Sequence, residues 1–494
     1  MKVLLVDLQE PLAAAVRDAL ADRHEVTTFA SDPRDLAACS KAASCDVLVH
    51  GLRPVGDALD AIDLAGRGTW NLLTTTAASR YVQLSTMRLF EGYDPGWHLD
   101  EQFPPLPTPE PDLLAPYLAE VASREVLRSR HIKGIVLRLP EIVTGDDAAP
   151  SAPEWLHVDD AVAAIVAAVE NPLPKRPTPR WRCLNIVRGD AAGRYPLGAA
   201  AEPPLSFSPR HVSEEQPPKA PTPPTVRRRP AAITGLATID RVLVLGAAGP
   251  LGSATSAEFR ERGYRLRLTD IGPLTELVSE QNGPRPVPTQ PPHEERVVDI
   301  TDPVAVTGAA QDMQAIVNCT VIRGDPVEAF RVNVLGAYNV MTAAVDNGIR
   351  RVVHTGPAMT LADHPAGYTD DTALASDLPP RPGDNLYFVT KYLGLEICRI
   401  FAEHHAIACP ILLFITFLDP DESPSWVPPS FSVTWHDAAR AMAAAVAVEE
   451  LARPAPLVNV LADAPHDRYR SDAARDVLGW TATDDLDRCW LRRY

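Results

Sequence analysis

Apolar residues in this sequence form short runs that alternate with longer segments in which apolar positions recur every three or four residues. The runs at residues 3–6 and 242–245 are each fully apolar, and each precedes a segment with helical spacing. Strands buried on both faces of a parallel sheet are continuously apolar, whereas the covering helices have a 3.6-residue period. The alternation predicts an α/β protein with two doubly wound parallel sheets in tandem, each with a small C-terminal substrate subdomain.

A proline-rich segment separates the two halves. Residues 201–239 contain repeated Pro-Pro pairs and show little periodicity. Such a composition cannot bury a core and predicts an extended linker. We therefore expect a first domain at residues 1–200, the linker at residues 201–239 and a second domain at residues 240–494.

The apolar run at residues 242–245 leads directly into a glycine-rich turn. The predicted phosphate-binding residues are Gly246, Gly249, Pro250, Leu251 and Gly252. Glycines at this spacing let the backbone approach a pyrophosphate and leave helix N-terminal N–H groups to bind it. Asp270 ends the next predicted strand, where a carboxylate can accept a hydrogen bond from an adenosine ribose. The alternative is a tight structural turn, but this combination favours a Rossmann-like dinucleotide site.

The two halves resemble each other in sequence. Residues 2–13 align without gaps with residues 241–252, and further short matches follow in the same order. Ordered matches of this kind predict an internal duplication. The three glycine positions of the first half hold Asp7, Glu10 and Ala13. Because carboxylates repel a phosphate, we expect the first half not to bind a dinucleotide.

Composition and charge narrow the classes of function. The 46% hydrophobic and 22% charged residues are typical of a globular protein, and the net charge of -17 disfavours nucleic acid as a partner. No apolar run approaches the ~18 residues of a membrane span, and without a signal peptide pattern we expect a cytoplasmic protein. The seven scattered cysteines predict reduced thiols. We expect no metal site, because helix capping by aspartate is the favoured interpretation of His157-Val-Asp-Asp160.

The second half resembles an extended short-chain dehydrogenase/reductase of the NAD-dependent epimerase/dehydratase group. The resemblance extends over residues 240–494 and rests on the glycine turn, on Asp270 and on the pair Tyr387 and Lys391. Shorter stretches, such as residues 431–437, are more weakly similar to uronate dehydrogenases. The resemblance implies that NAD is the cofactor, with NADP less favoured because Asp270 would repel its extra phosphate. The further cofactor contacts that it implies are Asp299, Ile300, Asn333 and Lys391.

Tyr387 and Lys391 are the predicted catalytic pair. Side chains four residues apart share one face of a helix, and an ammonium there lowers the pKa of a phenol so that it can exchange a proton with substrate. The family places Ser or Thr at the position that Gly356 occupies here, with Thr355 one residue earlier. Thr355 is therefore the third predicted catalytic residue, on condition that its hydroxyl reaches the site.

These features predict an NAD-dependent oxidoreductase or epimerase acting on a sugar, sugar acid or nucleotide-sugar. The alternative is an NAD-binding pseudoenzyme with a regulatory or scaffold role, because Gly356 lacks the usual hydroxyl. The first half has Val121 at the lysine position and is expected to be a structural partner. Its residues 117–130 are predicted to pack against residues 387–403 in an intramolecular pseudo-dimer. Homo-oligomer formation stays open.

Overall fold

The chain consists of two compact units, Met1–Arg228 and Arg229–Tyr494. The structure, a computed structural model, describes residues 1–51, 56–94, 96–144, 154–172, 181–188, 194–211, 231–277, 282–358, 373–419, 428–463, 468–486 and 489. Each unit is built around one parallel β-sheet with helices packed against it. The predicted fold class, two parallel sheets of Rossmann type in one chain, is confirmed.

The first unit contains a six-stranded sheet. Its strands are β1 (Lys2–Val6), β2 (Glu25–Phe29), β3 (Val47–His50), β4 (Arg80–Thr86), β5 (Lys133–Leu139), β6 (Glu141–Val143), β7 (Trp155–His157) and β8 (Trp181–Asn185). Its helices are α1 (Leu12–Ala21), α2 (Leu36–Lys41), α3 (Ala58–Asp63), α4 (Thr69–Thr75), α5 (Pro111–Ser129) and α6 (Val158–Glu170), with short 3-10 segments at Met87–Phe90 and Gly198–Ala200. The sheet order is β2-β1-β3-β4-β5-β8, while β6 and β7 form a separate parallel pair.

The second unit contains a seven-stranded sheet. Its strands are β9 (Arg241–Leu245), β10 (Arg265–Asp270), β11 (Glu294–Val297), β12 (Ala315–Asn318), β13 (Val352–Pro357), β14 (Ile411–Phe414), β15 (Thr416–Leu418), β16 (Ser432–Thr434) and β17 (Leu457–Asn459). Its helices are α7 (Pro250–Glu261), α8 (Pro303–Ala310), α9 (Pro326–Phe330), α10 (Gly336–Asp346), α11 (Leu386–His405), α12 (Trp435–Ala447) and α13 (Asp472–Leu478). The sheet order is β11-β10-β9-β12-β13-β14-β17, and β15 pairs with β16.

Alternation of side chains along the strands explains how each sheet is covered on two faces. In β1, Val3 and Leu5 belong to the apolar cluster that includes α1 and α6, whereas Leu4 and Val6 belong to the cluster that includes α4 and α5. Successive residues of a strand point to opposite faces, so one apolar run serves two cores. In the second unit, α12 packs against α7, while α10 packs against α8 and α11.

Helix starts are fixed by polar side chains at the ends of the preceding loops. Asp302 accepts hydrogen bonds from the backbone N–H groups of Val304 and Ala305, and Thr434 accepts one from Asp437. Such caps satisfy backbone donors that have no partner within the helix. The helices of both units also contain a π-helical turn, at Leu64–Gly68 before α4 and at Arg331–Leu335 before α10.

The ends of the predicted linker pack onto the unit to which each belongs. Leu205 and Phe207 are buried in the core of the first unit. Ile233 forms an isolated antiparallel bridge with Leu451 of the second unit. Most of the remaining linker, residues 212–230, lies outside the described residues. Within the described parts of the chain, no helix has both the length and the apolar character needed to cross a bilayer.

Candidate active site

The three glycines of the turn after β9 differ in how strictly the surrounding structure requires glycine at each position. Gly246 has a φ of +78°, and a Cβ there would lie 2.9 Å from the backbone nitrogen of Thr320. A Cβ on Gly252 would collide with the carbonyl oxygen of Gly246. A Cβ on Gly249, in contrast, would meet only that same oxygen, at 3.5 Å. Packing of the protein therefore requires glycine at 246 and 252, while Gly249 leaves open space at the N-terminus of α7.

This open space belongs to a cavity of about 290 Å³ at the carboxyl ends of β9, β10 and β12. The order of the sheet reverses between β9 and β12, and ligands of open α/β sheets bind at such a switch point. The predicted cofactor residues that line the cavity are Gly246, Gly249, Pro250, Asp270, Asp299 and Ile300. An uncapped helix N-terminus beside a glycine turn and a carboxylate at the end of β10 fits a dinucleotide.

Asp270 is held in place by the turn itself. Its carboxylate accepts hydrogen bonds from the backbone N–H of Ala248 at 2.9 Å and from that of Ile271 at 2.9 Å. A carboxylate has about four lone-pair sites, so two remain for ribose hydroxyls. Arg267, three residues earlier, is buried and points elsewhere, because it binds Glu294 and the carbonyl oxygen of Ala309. Arg267 is therefore not placed to hold the additional phosphate of NADP.

Asn333 lies behind the cavity and does not line it. Its side chain accepts a hydrogen bond from the backbone N–H of Ile322 and donates to the carbonyl oxygen of Ile322 and to the hydroxyl of Thr390. Ile322 itself lines the cavity. Asn333 thus connects Ile322, in the wall of the cavity, to Thr390 of α11. Its direct contact with the cofactor stays a prediction.

A second, smaller cavity of about 100 Å³ adjoins the first. It brings the three predicted catalytic residues, Thr355, Tyr387 and Lys391, to one place together with Gly356. Leu251 and Gly252 line this cavity and not the larger one. The lining residues that the two cavities share are Gly249, Pro250, Cys319, Val321 and Arg323.

The pKa shifts of Tyr387 and Lys391, the predicted catalytic pair, differ from the sequence-based expectation. Burial raises the pKa of Tyr387, and the cation that opposes this effect is Arg323, by charge and by a side-chain hydrogen bond. Burial also lowers the pKa of Lys391 to about 8. The Lys391 ammonium lies 3.5 Å from the carbonyl oxygen of Thr320. The prediction that a neighbouring ammonium lowers the pKa of Tyr387 below that of a free phenol is wrong, because desolvation dominates.

Thr355 lines the smaller cavity, but its hydroxyl is hydrogen-bonded to a backbone carbonyl oxygen at the end of β12. The Oγ1 atom donates a hydrogen bond to the carbonyl oxygen of Asn318 at 3.0 Å, and the residue is only 7% exposed. Gly356 supplies no side chain. His354, which precedes them on β13, is buried against Asn318 and is a structural residue.

Arg323 is the site residue that sequence reasoning missed. It follows β12, its guanidinium carbon lies 5.0 Å from the centroid of the Tyr387 ring, and it lines both cavities. A cation at this distance from an aromatic face is attracted to the ring. The available signal was a basic residue at the carboxyl end of a central strand, the edge at which sites of this fold class form.

The turn after β1 in the first unit, which corresponds to the glycine turn after β9, contains two carboxylates, those of Asp7 and Glu10. Asp7 has a φ of +50°, which is close to the conformation of Gly246. The Glu10 carboxylate accepts a hydrogen bond from the backbone N–H of Ala14 at 3.0 Å, in the first turn of α1. Asp7 and Glu10 both line a cavity of about 400 Å³, whose described lining residues include no Lys, Arg or His. A phosphate there would meet carboxylates in place of a free helix N-terminus.

Two clusters of His and Asp side chains occur at the starts of α6 and α12. The members of the first are His157, Asp159 and His211, and those of the second are His436, Asp437 and Asp484. The capping prediction is wrong in detail, because the capping side chains are His157 and Thr434. The buried Asp160 instead accepts hydrogen bonds from the backbone of residues 210–211, and Asp437 from that of residues 483–484. Both aspartates thus fasten a later segment to the start of a helix.

Comparison with known proteins agrees with this geometry. Residues 242–421 match the model of the NAD dependent epimerase/dehydratase family. A uronate dehydrogenase of Pseudomonas putida is 26% identical over 34% of this chain and 58% of its own length. One of Agrobacterium fabrum is 32% identical over 33% of this chain and 56% of its own length. The chain thus spans somewhat more than half the length of these curated relatives.

Among solved structures, a glucuronic acid dehydrogenase from Chromohalobacter salexigens is similar with a TM-score of 0.43 and 22% identity, over 50% of this chain and 86% of that one. A complex of MoeE5 with UDP-glucuronic acid and NAD gives a TM-score of 0.39 and 20% identity, over 50% of this chain and 95% of that one. On the family match to residues 242–421, the C-terminal half of the chain contains a domain of the NAD-dependent epimerase/dehydratase family.

Proposed function

We propose that the C-terminal half is an NAD-dependent oxidoreductase that acts on a sugar acid or a related nucleotide-sugar. One observation carries the proposal: the cavity beside the glycine turn adjoins a cavity that contains Tyr387 and Lys391. A dinucleotide whose pyrophosphate lies at Gly249 can therefore direct its nicotinamide toward the tyrosine. The choice of a sugar acid rests on the similarity to uronate dehydrogenases over 166 to 180 residues.

Each residue of the site has a separate task in this proposal. NAD held by the glycine turn and Asp270 would supply a hydride acceptor for the carbinol carbon of the substrate. Tyr387, as phenolate, takes the proton of the same carbinol, so that a carbonyl group forms. Lys391 is buried, and its ammonium contacts the carbonyl oxygen of Thr320, which lies between Cys319 and Val321, two residues that line both cavities. Asp270 receives the adenosine ribose, and its charge favours NAD over NADP.

The test has two independent parts. Calorimetric titration with NAD+ and NADP+ measures binding, and we expect NAD+ to bind more tightly. Absorbance of the reduced cofactor is then followed with a panel of uronates, aldoses and nucleotide-sugars. Turnover of a sugar acid that is lost in Tyr387→Phe supports the proposal. Turnover that is unchanged in that variant contradicts the assigned chemistry.

A specific observation favours a second candidate, an NAD-binding pseudoenzyme with a regulatory or scaffold role. Gly356 lacks a hydroxyl, and that of Thr355 is bonded to Asn318. If these features abolish turnover, the protein binds NAD but reduces none of it with any substrate of the panel. The same two measurements therefore separate the two candidates.

We further propose that the chain is a duplication in which the first half is a structural partner without a cofactor. Both sheets share one strand order around the central strand, and both halves have a π-helical turn before the fourth connecting helix. The proposal includes the pseudo-dimer between residues 117–130 and 387–403. Small-angle X-ray scattering tests it: one compact particle is expected, and two lobes that move independently contradict it.

A further inference from the structure

The catalytic cavity lacks a hydrogen-bond donor at a position where an oxidoreductase of this kind needs one. During hydride transfer the reacting oxygen of the substrate carries partial negative charge, and a fixed donor stabilises it. Gly356 has no side chain, and Thr355 donates its only hydroxyl hydrogen to the carbonyl oxygen of Asn318 at 3.0 Å. Among the described residues lining the cavity, the remaining side-chain donors are Arg323, Tyr387, Lys391, the weak S–H of Cys319, and Trp435, whose ring is stacked on Phe417.

Arg323 is the best placed of these donors. Tyr387 is reserved for the proton, and the Lys391 ammonium points to the carbonyl oxygen of Thr320. The guanidinium lies over the Tyr387 ring, at 5.0 Å from its centroid, and Arg323 lines both cavities. The residue is exposed to solvent, so a substrate can reach it. A guanidinium has five N–H donors, so a contact with Tyr387 does not by itself prevent it from donating to a ligand.

We infer that Arg323 supplies the hydrogen bond to the reacting oxygen of the substrate that a hydroxyl at position 356 would otherwise supply. This inference rests on the proposed function. In the oxidation, the O–H bond of the carbinol breaks and its proton moves to the Tyr387 phenolate. The C–H electron pair leaves as hydride to NAD+, and the C=O bond forms. Arg323 acts only as a hydrogen-bond donor and exchanges no proton, because a guanidinium is not deprotonated in proteins.

The placement of Arg323 has a second consequence for Tyr387. The same guanidinium that binds the substrate oxygen opposes the effect of burial on the pKa of the phenol. One residue would thus act on both partners of the proton transfer. A neutral residue at position 323 should therefore weaken binding of the oxygen and make Tyr387 harder to ionise.

Binding of a sugar lactone tests the inference without relying on turnover. Oxidation of a cyclic sugar gives a lactone, and its carbonyl oxygen corresponds to the reacting oxygen. Calorimetry measures binding of a neutral aldonolactone to the complex of the protein with NADH. We expect Arg323→Met to weaken binding at least ~10-fold, as for loss of a charged hydrogen bond. Arg331→Met is the matched control, because Arg331 lines neither cavity and pairs with Glu328.

A double variant tests whether the loss of binding comes from the missing hydrogen-bond donor. The double variant Arg323→Met with Gly356→Ser restores the donor at the other position, and we expect it to regain part of the lost affinity. Wild-type affinity in Arg323→Met overturns the inference. So does a loss seen only with a lactone that carries a carboxylate, because Arg323 would then bind that substituent. Tight binding of NADH and lactone without turnover defeats the proposed oxidoreductase but keeps the Arg323 contact, whereas absence of lactone binding defeats both.

Discussion

Arg323 and Tyr387, which are 64 residues apart in the sequence, line the same cavity, and the Arg323 guanidinium carbon lies over the Tyr387 ring, 5.0 Å from its centroid. Burial raises the pKa of the Tyr387 phenol, and Arg323 lowers it by a smaller amount. The phenol is therefore held protonated at neutral pH more firmly than a free tyrosine. A site arranged in this way stores the proton needed to reduce a carbonyl and must lose it to oxidise an alcohol.

The raised pKa of Tyr387 predicts how the rate of oxidation depends on pH. Among the described residues that line the cavity with Tyr387, the basic ones are Arg323 and Lys391, and the partly buried thiol of Cys319 lines it as well. Burial raises the pKa of the Tyr387 phenol despite Arg323, so the phenolate that accepts the substrate proton forms only at alkaline pH. Turnover in the oxidative direction should keep rising from pH 7 to pH ~10, the ordinary pKa of tyrosine. A profile that is flat across this range contradicts the expected raised pKa of Tyr387.

Tyr387→Phe should reduce turnover by about 10²-fold or more, because it removes the group that exchanges the proton. Affinity for NAD should be almost unchanged. Tyr338→Phe is the matched control: Tyr338 packs edge to face against Phe401 and is not among the residues that line either cavity, so the control variant keeps its ring contact. Steady-state kinetics and calorimetry on the three proteins check the prediction. Equal losses in both variants would mean that the effect comes from folding.

Lys391→Met should make the protein more stable at pH 7 while impairing the site. Lys391 is 3% exposed, and its pKa falls from 10.5 to about 8 by burial. Because burial lowers the pKa of Lys391, the charged lysine destabilises the folded state. This destabilisation is greatest below pH ~8, where the lysine is charged in both the folded and the unfolded protein. Above pH ~8 the lysine is neutral in the folded protein but still charged in the unfolded protein. The destabilisation should therefore decrease by about 1.4 kcal/mol per pH unit.

Denaturant unfolding of the Met variant and the wild type at pH 7 and pH 9 measures this difference. The stability advantage of the variant should shrink between the two pH values. An advantage that grows with pH would show that the lysine is not destabilised by burial.

Asp270→Asn should weaken NAD binding and reduce the preference for NAD over NADP. The amide keeps the shape of the side chain but loses the charge, and its NH2 group cannot accept the hydrogen bond from Ala248. We expect a loss of affinity of about tenfold, corresponding to 1.4 kcal/mol. Asp240→Asn is the control, because Asp240 is a half-exposed residue that pairs with Arg265 and is not among the residues that line the cavity. Similar losses in both variants would contradict a specific role for Asp270.

The contrast between the two glycine turns predicts one NAD per chain. Gly249→Glu copies the first half, where Glu10 binds the backbone N–H of Ala14. This variant should lose NAD binding altogether, whereas Glu10→Gly should leave the stoichiometry unchanged because Asp7 remains. Calorimetry of both variants gives the stoichiometry. Two equivalents of NAD in the wild type would contradict the loss of the first site.

Local sequence patterns were sufficient to predict the sheets, the glycine turn and the placing of Tyr387 and Thr355 at one cavity. These features depend on strand and helix periodicity and on short spacings. Arg323 was missed because its contact with Tyr387 exists only after β12 and α11 have been brought together. The ionisation of Tyr387 was predicted in the wrong direction because spacing on a helix gives the neighbour but not the degree of burial. The fastening of residues 483–484 by Asp437 was likewise not predictable, because it joins segments 46 and 47 positions apart.

The most direct measurement follows the absorbance of reduced nicotinamide when wild-type protein and Tyr387→Phe are each mixed with NAD+ and a panel of uronates. We predict that the wild-type protein reduces NAD+ with at least one sugar acid and that the variant, with its NAD affinity intact, does so at least ~10²-fold more slowly. Equal rates in the two proteins, or NAD binding by the wild type without any reduction across the panel, would contradict an oxidoreductase that works through Tyr387.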